Sequence, residues 1–380
     1  MAPRTRILAA FGGVAALAAL ATCNMRSVED PAAVVPSLEE RIEEAAEAVV
    51  EERSAEARWL DDQFYAIGST FDGFLGIAMV DLQTGDTIHF NGDETFPQQS
   101  LSKLWVALTA FDQADKGEFD LGQRATVTFS DLTVFHQPIR KSVIANGSFT
   151  ADYAEYIRRA LTESDNTAND MVLNAVGGPD AVRAMLSDKA LPDIRFGPGE
   201  RQMQSAIAGL DWDQRYALDK TFFDVRKTVP HGVRRRNFDA YVGDPVDGAR
   251  PNAVARALSR LAKGELLSEQ ATQQFLTLLD EVKSGPNRLK GGLPEGWSIG
   301  HKTGTGQVLD IVPPGVIGEQ AGYNDVGILT APDGSRYSVA VLIGRTARPV
   351  PERMDMMHKV VMAIGEYHRR TAEQADVTAS

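Results

Sequence analysis

The strand-like segments of this chain lie at its two ends, and that separation decides what it can fold into. Phe74-Leu-Gly-Ile-Ala-Met-Val80 is an apolar strand, Asp81-Leu-Gln-Thr-Gly-Asp86 carries turn chemistry, and Thr87-Ile-His-Phe90 is the return strand. Helical patterns then dominate from Leu101 to about Leu186, and again from Ala253 to about Lys283. Strand signals return at Trp297–Lys302, Val326–Thr330 and Tyr337–Ile343, with Ala331-Pro-Asp-Gly334 as the turn between the last two. A final helix covers roughly Pro351–Tyr367. The order strands, helices, strands, helix predicts a sheet assembled from both ends of the chain, with a helical lobe inserted between. No internal repeat is visible.

Composition narrows the function. With 380 residues and 43% hydrophobic content the chain can bury a sizeable core. Its net charge of −13 has the wrong sign for a nucleic-acid surface. The single cysteine, Cys23, excludes a disulfide within the chain and a thiolate zinc site. Six scattered histidines without His-Glu-x-x-His argue against a metal hydrolase, and neither a P-loop nor a Gly-x-Ser-x-Gly elbow is present. No cofactor is expected.

Arg4 and Arg6 precede an apolar run from Ile7 to Ala21, shorter than the roughly 20 residues of a spanning helix. This reads as an export signal over residues 1–22, with a membrane anchor as the alternative. Losing it removes two positive charges and leaves the mature chain at −15. The run ends Leu20-Ala21-Thr22-Cys23, which resembles the lipobox of bacterial lipoproteins, although Thr22 departs from the small residue usual before the cysteine. A periplasmic location is expected, with lipid attachment through Cys23 left open. Residues 24–36 read as a linker, and Ser37-Leu-Glu-Glu40 as a capping box opening a Glu/Ala-rich helix to about Gln63. That helix is either a solvated lead into the fold or a partner-binding surface.

Three short motifs carry chemistry. In Ser100-Leu-Ser-Lys103 the two polar residues share a helix face, because Leu101, Leu104, Trp105 and Leu108 repeat at helical spacing. A serine hydroxyl needs a nearby base, and a lysine serves if burial and neighbouring cations lower its pKa. Ser164-Asp-Asn166 opens another helical pattern, where Ser or Asp is also a common cap. Lys302-Thr-Gly304, extended by Thr305-Gly306, ends a strand whose small residue lets a substrate backbone lie alongside. Lys283-Ser-Gly285 repeats this third motif but precedes Pro286 and reads as a helix stop.

Together these residues resemble the trio of serine β-lactamases and penicillin-binding proteins. The chain is similar to class A β-lactamases over roughly residues 60–370. Gly177-Gly-Pro179, Lys263-Gly-Glu-Leu-Leu267 and Leu293-Pro-Glu-Gly-Trp297 add to the likeness. The resemblance implies that Ser100 is the acylated nucleophile and that Lys103 helps remove its proton. Ser164 would pass a proton to the departing lactam nitrogen, Asn166 would hold the substrate's side-chain amide, Lys302 would supply positive potential, and Thr303 would bind the substrate carboxylate. The backbone N–H groups of Ser100 and Thr305 would form an oxyanion hole beside Gly304. Phe135 stands where the family often has an aromatic wall, and equally reads as a core residue. Arg288, 14 residues before Lys302, matches a carboxylate-binding arginine of some relatives or a surface arginine.

Deacylation in this family uses a glutamate 34 residues after the motif asparagine. Here that residue is Glu200. The family pattern Glu-x-x-Leu-Asn reads Glu200-Arg-Gln-Met-Gln204 in this chain, so Gln204 stands where a shorter amide is usual. Two stretches are longer than in the family. From Gln204 to Pro251 there are 47 positions, holding Trp212, Tyr216, Phe222, Phe223 and Arg234-Arg-Arg236. About a dozen further residues follow Thr305-Gly306. The first is a lid, a partner surface or a decorated loop.

The expected fold is α+β. A five-stranded antiparallel sheet flanked by helices comes from residues 58–98 and 247–372, and an inserted all-α lobe spans 99–246 with its insertion at about 205–245. Residues 23–57 form linker and charged helix, and 373–380 a tail. The expected function is opening of the β-lactam ring through an acyl-enzyme on Ser100, with water activated by Glu200, in a monomer binding no metal and no nucleic acid. The alternatives are a D,D-peptidase or other acyl-serine hydrolase, and a slow-turnover β-lactam binder.

Overall fold

A computed structural model describes residues 54–218, 220–310 and 317–379. The export segment, Cys23 and the Ser37 capping box lie outside the described residues. Helix α1 (Ala55–Thr70) starts where the Ser54 hydroxyl accepts from the Ala57 N–H at 3.0 Å. It runs past the boundary expected at Gln63 because Phe64 is buried and Gly68 lies flat against the Phe90 ring, with no room for a Cβ.

Strands β1 (Phe74–Asp81) and β2 (Thr87–Phe90) form the expected hairpin, with Asp81 Oδ1 accepting from the Gln83 N–H at 2.8 Å and Gly85 at φ 85°. The short β3 (Phe96–Pro97) then leads into the inserted lobe. Its elements are α2 (Lys103–Asp115), β4 (Arg124–Val127), α3 (Arg140–Asn146), β5 (Phe149–Asp152), α4 (Tyr153–Arg158), α5 (Asn166–Ala175), α6 (Gly178–Asp188), α7 (Glu200–Ile207), α8 (Thr221–Thr228) and α9 (His231–Gly243). The lobe is helical apart from the antiparallel ribbon β4–β5, an addition to the all-α lobe expected. β6 (Gly248–Ala249), pairing β3, closes it. Next come α10 (Pro251–Ala262), α11 (Glu269–Asp280), β7 (Ser298–Thr305), β8 (Gln320–Ala321), β9 (Tyr323–Thr330), β10 (Arg336–Thr346) and α12 (Val350–Ala379).

The main sheet is antiparallel in the order β2-β1-β10-β9-β7, with the short β8 added on β10. The N-terminal hairpin thus joins C-terminal strands, as the segment order requires. Side chains alternate between two cores with the strand period of two. Leu75, Ile77, Met79, Val339, Val341 and Ile343 pack under α1 and α12, against Leu60, Phe64, Val360 and Ile364. Ala78, Val80, Ala340 and Leu342 face α10 and the helical lobe. Both faces are covered, which is why these strands read as unbroken apolar runs. Helix α2 is buried from Lys103 through Asp112, so it forms the axis of the lobe. β7 is an edge strand, and its free edge borders the start of α2.

Candidate active site

Ser100 sits in a 3-10 turn, Gln99–Ser102, that runs directly into α2. Gln99 takes φ 55°, a left-handed conformation that costs a non-glycine residue about 1–3 kcal/mol and persists only where the surroundings over-determine it. They do so here. The Gln99 N–H donates to Asp247 Oδ2 at 2.7 Å, and the Gln98 side chain donates to the Asp247 and Arg195 carbonyls. Asn324 on β9 donates to the Pro97 and Gln98 carbonyls at 2.7 and 3.1 Å. Asn324 is therefore fully buried and clamps the serine turn to the sheet. Burial pushes the Asp247 carboxyl up to about 6.

One helical turn beyond Ser100, Lys103 is completely buried. Its Nζ donates to Ser100 Oγ at 2.8 Å and to Glu200 Oε1 at 2.9 Å. Glu200 is the first residue of α7 and only 4% exposed, so serine, lysine and carboxylate form one continuous chain. Glu200 Oε2 accepts from Gln204 Nε2 at 3.2 Å, one turn further along α7. Asp170 on α5 is also buried. Burial first, and the negative Glu200 second, push its carboxyl up to about 7.

The second motif resolves its two readings by dividing them between neighbours. Asp165 is the cap of α5, accepting from the Ala168 N–H at 3.0 Å. Ser164, at φ 58° after the π-helical turn Arg159–Glu163, accepts from Lys302 Nζ at 3.0 Å. Such turns widen a helix locally and recur at functional sites. Asn166 donates to the Val134 carbonyl at 2.8 Å and borders the cleft. Lys302, fully buried on β7, is paired in register with Val326. Burial, then the positive Lys103 and Arg288, hold its ammonium well below the usual lysine range.

These groups converge on a cleft of about 240 Å³ bordered by Ser100, Ser164, Asn166, Glu200, Thr303 and Thr305, with Phe135 and Arg288 on its walls. Lys103 and Lys302 lie buried beneath it. Arg288 is 8% exposed, not a surface arginine. It stacks on the Tyr323 ring at 3.8 Å and donates to the Gly304 and Asn324 carbonyls and to Thr305 Oγ1. Its fork is thus largely engaged by the sheet. Gly304 does not border the cleft: its missing Cβ makes room for the Gln98 carbonyl behind the strand, so its smallness serves the serine turn.

Two contributors escaped the sequence reading. Ser284, in the segment read as a helix stop, borders the cleft and lies 2.6 Å from Thr303 Oγ1. His136 borders it too, tied to the Glu163 carbonyl at 2.9 Å. Phe135, at φ 65°, packs edge-on against Phe222 at 4.9 Å and beside Phe223 at 5.7 Å, so the aromatic wall continues into the long insertion. That insertion is not a loop but the helices α8 and α9. The excess of aromatic residues at 212–223 was the available signal for it. Among the described residues no cluster suited to a metal ion occurs.

Comparison with known proteins agrees with this geometry. The family model described as "Beta-lactamase enzyme family" matches residues 59–367. The chain is 27% identical to beta-lactamase VEB-1 of Pseudomonas aeruginosa over 292 residues, covering 77% of this chain and 83% of that one. It is 29% identical to beta-lactamase CTX-M-97 of Escherichia coli, covering 66% and 74%. Among solved structures, a beta-lactamase from Chitinophaga pinensis superposes with a TM-score of 0.65 at 26% identity over 80% of this chain and 97% of that one. The TLA-1 extended-spectrum beta-lactamase gives 0.66 at 22% identity over 82% and 99%, a likeness of fold alone.

Proposed function

Because the chain belongs to the beta-lactamase enzyme family, as a serine hydrolase of class A, we propose that it opens β-lactams through an acyl-enzyme on Ser100 and releases the product with water activated by Glu200. The observation that carries this reading is the unbroken chain Ser100 Oγ–Lys103 Nζ–Glu200 Oε1, at 2.8 and 2.9 Å.

Lys103 can accept the serine proton only as the neutral amine, which it becomes by handing a proton to Glu200. Ser100 Oγ then bonds to the lactam carbonyl carbon, and the carbonyl electron pair moves onto its oxygen. The N–H groups of Ser100 and Thr305 receive that charge. Collapse breaks the C–N bond. The leaving nitrogen takes a proton from Ser164, which is resupplied by Lys302 across 3.0 Å. A lysine destabilised as a cation gives up that proton readily. The proton gained by Glu200 balances the one lost by Lys302, and exchange with solvent resets both. In deacylation Glu200 takes a proton from water, the hydroxide oxygen bonds to the ester carbon, and Ser100 Oγ leaves with a proton returned through Lys103.

Thr303 and Ser284 hydroxyls take the substrate carboxylate in the field of Lys302 and Arg288. Asn166, its Nδ2 held by Val134, offers Oδ1 to the side-chain amide, and Phe135 with Phe223 forms the wall opposite. The charged-then-apolar segment ending at Ala21 supports export, where such a substrate is met. The test is Glu200→Gln with benzylpenicillin: acylation of Ser100 should slow, because Lys103 loses its proton acceptor, yet still outrun deacylation, so that the adduct accumulates and hydrolysis stalls. Unchanged hydrolysis would refute the water-activating role.

A further inference from the structure

The glutamine that steadies Glu200 is itself held by a chain of buried amides that ends on the two inserted helices. Gln307, in the stretch added after the Lys-Thr-Gly strand, donates from Nε2 to the Gln204 carbonyl at 2.8 Å and to Gln204 Oε1 at 3.0 Å. Gln307 Oε1 accepts from Arg226 of α8 at 3.1 Å. On the other side Gln204 Nε2 donates to Gln99 Oε1 at 2.8 Å, besides its bond to Glu200. Gln99 Nε2 in turn donates to the Tyr241 hydroxyl of α9, which donates to Asp247 at 2.9 Å. Arg226, Gln307, Gln204, Gln99 and Tyr241 are all at most 7% exposed.

A primary amide has an oxygen end and a nitrogen end of nearly the same shape, so packing alone does not choose which faces Glu200. The ends of the chain choose. Arginine is only a donor, which turns Gln307 Oε1 toward it and Gln307 Nε2 toward Gln204. Asp247 accepts the Tyr241 proton, which leaves the tyrosine oxygen to accept from Gln99 and turns Gln99 Oε1 toward Gln204. Both arms demand one result: Gln204 Oε1 to Gln307, and Gln204 Nε2 to Gln99 and Glu200. The reverse orientation would set two oxygens against each other beside a carboxylate, a buried mismatch. Arg226 is itself fixed by Asp310, which also binds Arg234 of α9.

We infer that the inserted helices α8 and α9 polarise this amide relay, making Arg226 and Gln307 positioning residues that keep the Gln204 donor on Glu200 during deacylation. The inference rests on the water-activating role of Glu200 and extends it to residues that touch neither substrate nor water. It also gives the insertion a task beyond its aromatic wall.

The discriminating variant is Gln307→Glu. It keeps an acceptor for Arg226 and nearly the same volume, but it offers Gln204 no donor. A purely structural role would lower the thermal midpoint, through the lost bond to the Gln204 carbonyl, without separating the two rate constants. The relay predicts that deacylation of the benzylpenicilloyl-enzyme falls about tenfold, the scale of one buried hydrogen bond, with the acylation rate constant unchanged. Arg226→Gln should do the same and Arg226→Lys should restore most of the rate. Acylation and deacylation are read separately by quenched-flow intact mass, with thermal midpoints recorded alongside. If Arg226→Gln fails to fold, Gln307→Glu and Gln307→Met decide alone. Wild-type deacylation in the Gln307 variants, with Glu200→Gln still stalled, would overturn the relay and leave the role of Glu200 intact. Free turnover by Glu200→Gln would instead remove the premise.

Discussion

The cleft has two sides that are held in place differently. On the acylation side, Ser100, Lys103, Ser164 and Lys302 stand on core elements: a 3-10 turn entering a buried helix, the end of a π-helical turn, and an edge strand. Their contacts are direct, from ammonium to hydroxyl at 2.8 and 3.0 Å. On the deacylation side, Glu200 has one such contact, to Lys103. The rest of its support comes through neutral amides from residues 99, 204 and 307, oriented by side chains of inserted helices. Charge placed by core elements is robust. An orientation passed along amides depends on every member of the chain. On the mechanism proposed, the groups of the first step thus rest on core elements, while the glutamate of the second is steadied through the inserted helices.

Substitutions should separate the two sides. The largest effect belongs to Ser100→Gly, which removes the nucleophile; hydrolysis of a chromogenic cephalosporin should fall by about 10⁴-fold or more, with no mass adduct. Next is Lys302→Met, which should slow acylation by about 10²–10³-fold and leave deacylation of any adduct near the wild-type rate, as pre-steady-state bursts would show. Equal losses in both steps would break the division. Gln204→Leu is its mirror image: acylation is preserved, and deacylation falls by about 10- to 100-fold with the adduct accumulating.

The smallest effect is on stability. The Asp170 carboxyl is pushed up to about 7 in the folded chain, against an ordinary value of about 4 when unfolded. Between those values the folded state holds more protons, so stability is lost as pH rises through this window. Asp170→Asn removes the term. Its unfolding free energy should match the wild type near pH 4 and exceed it at pH 8, by on the order of a few kcal/mol at most, with the thermal midpoints moving in the same direction. A variant less stable at pH 8 would show that the charged form is favoured there.

What the sequence disclosed follows the same division. Ser100, Lys103, Ser164 and Lys302 were legible because each motif rides on an element with its own apolar pattern, and the two-ended sheet was legible from segment order. Glu200 was legible only by counting from Asn166. The relay was not, because its hydrogen-bonded pairs from Arg226 to Tyr241 are 81 to 142 residues apart and glutamine has no periodic signature. Ser284 was passed over because Pro286 marks a true helix end, and helix-stop chemistry says nothing of what the following loop touches. Gly304 was read as room for a substrate backbone, since the sequence does not say that the Gln98 carbonyl is what approaches it. The aromatic residues at 212–223 announced a packed segment, but not that Phe135 would be its partner.

The central claim is that one cleft performs both steps, acylation at Ser100 and release through Glu200 steadied by Gln204. It is tested most directly by intact mass of the mature protein after benzylpenicillin is added, sampled from milliseconds to an hour with free drug followed in parallel. The account predicts a transient adduct on Ser100 and drug consumed far beyond the protein concentration. A lasting one-to-one adduct would contradict it, leaving a binder whose Glu200 does not serve water, and no adduct with no loss of drug would contradict both steps.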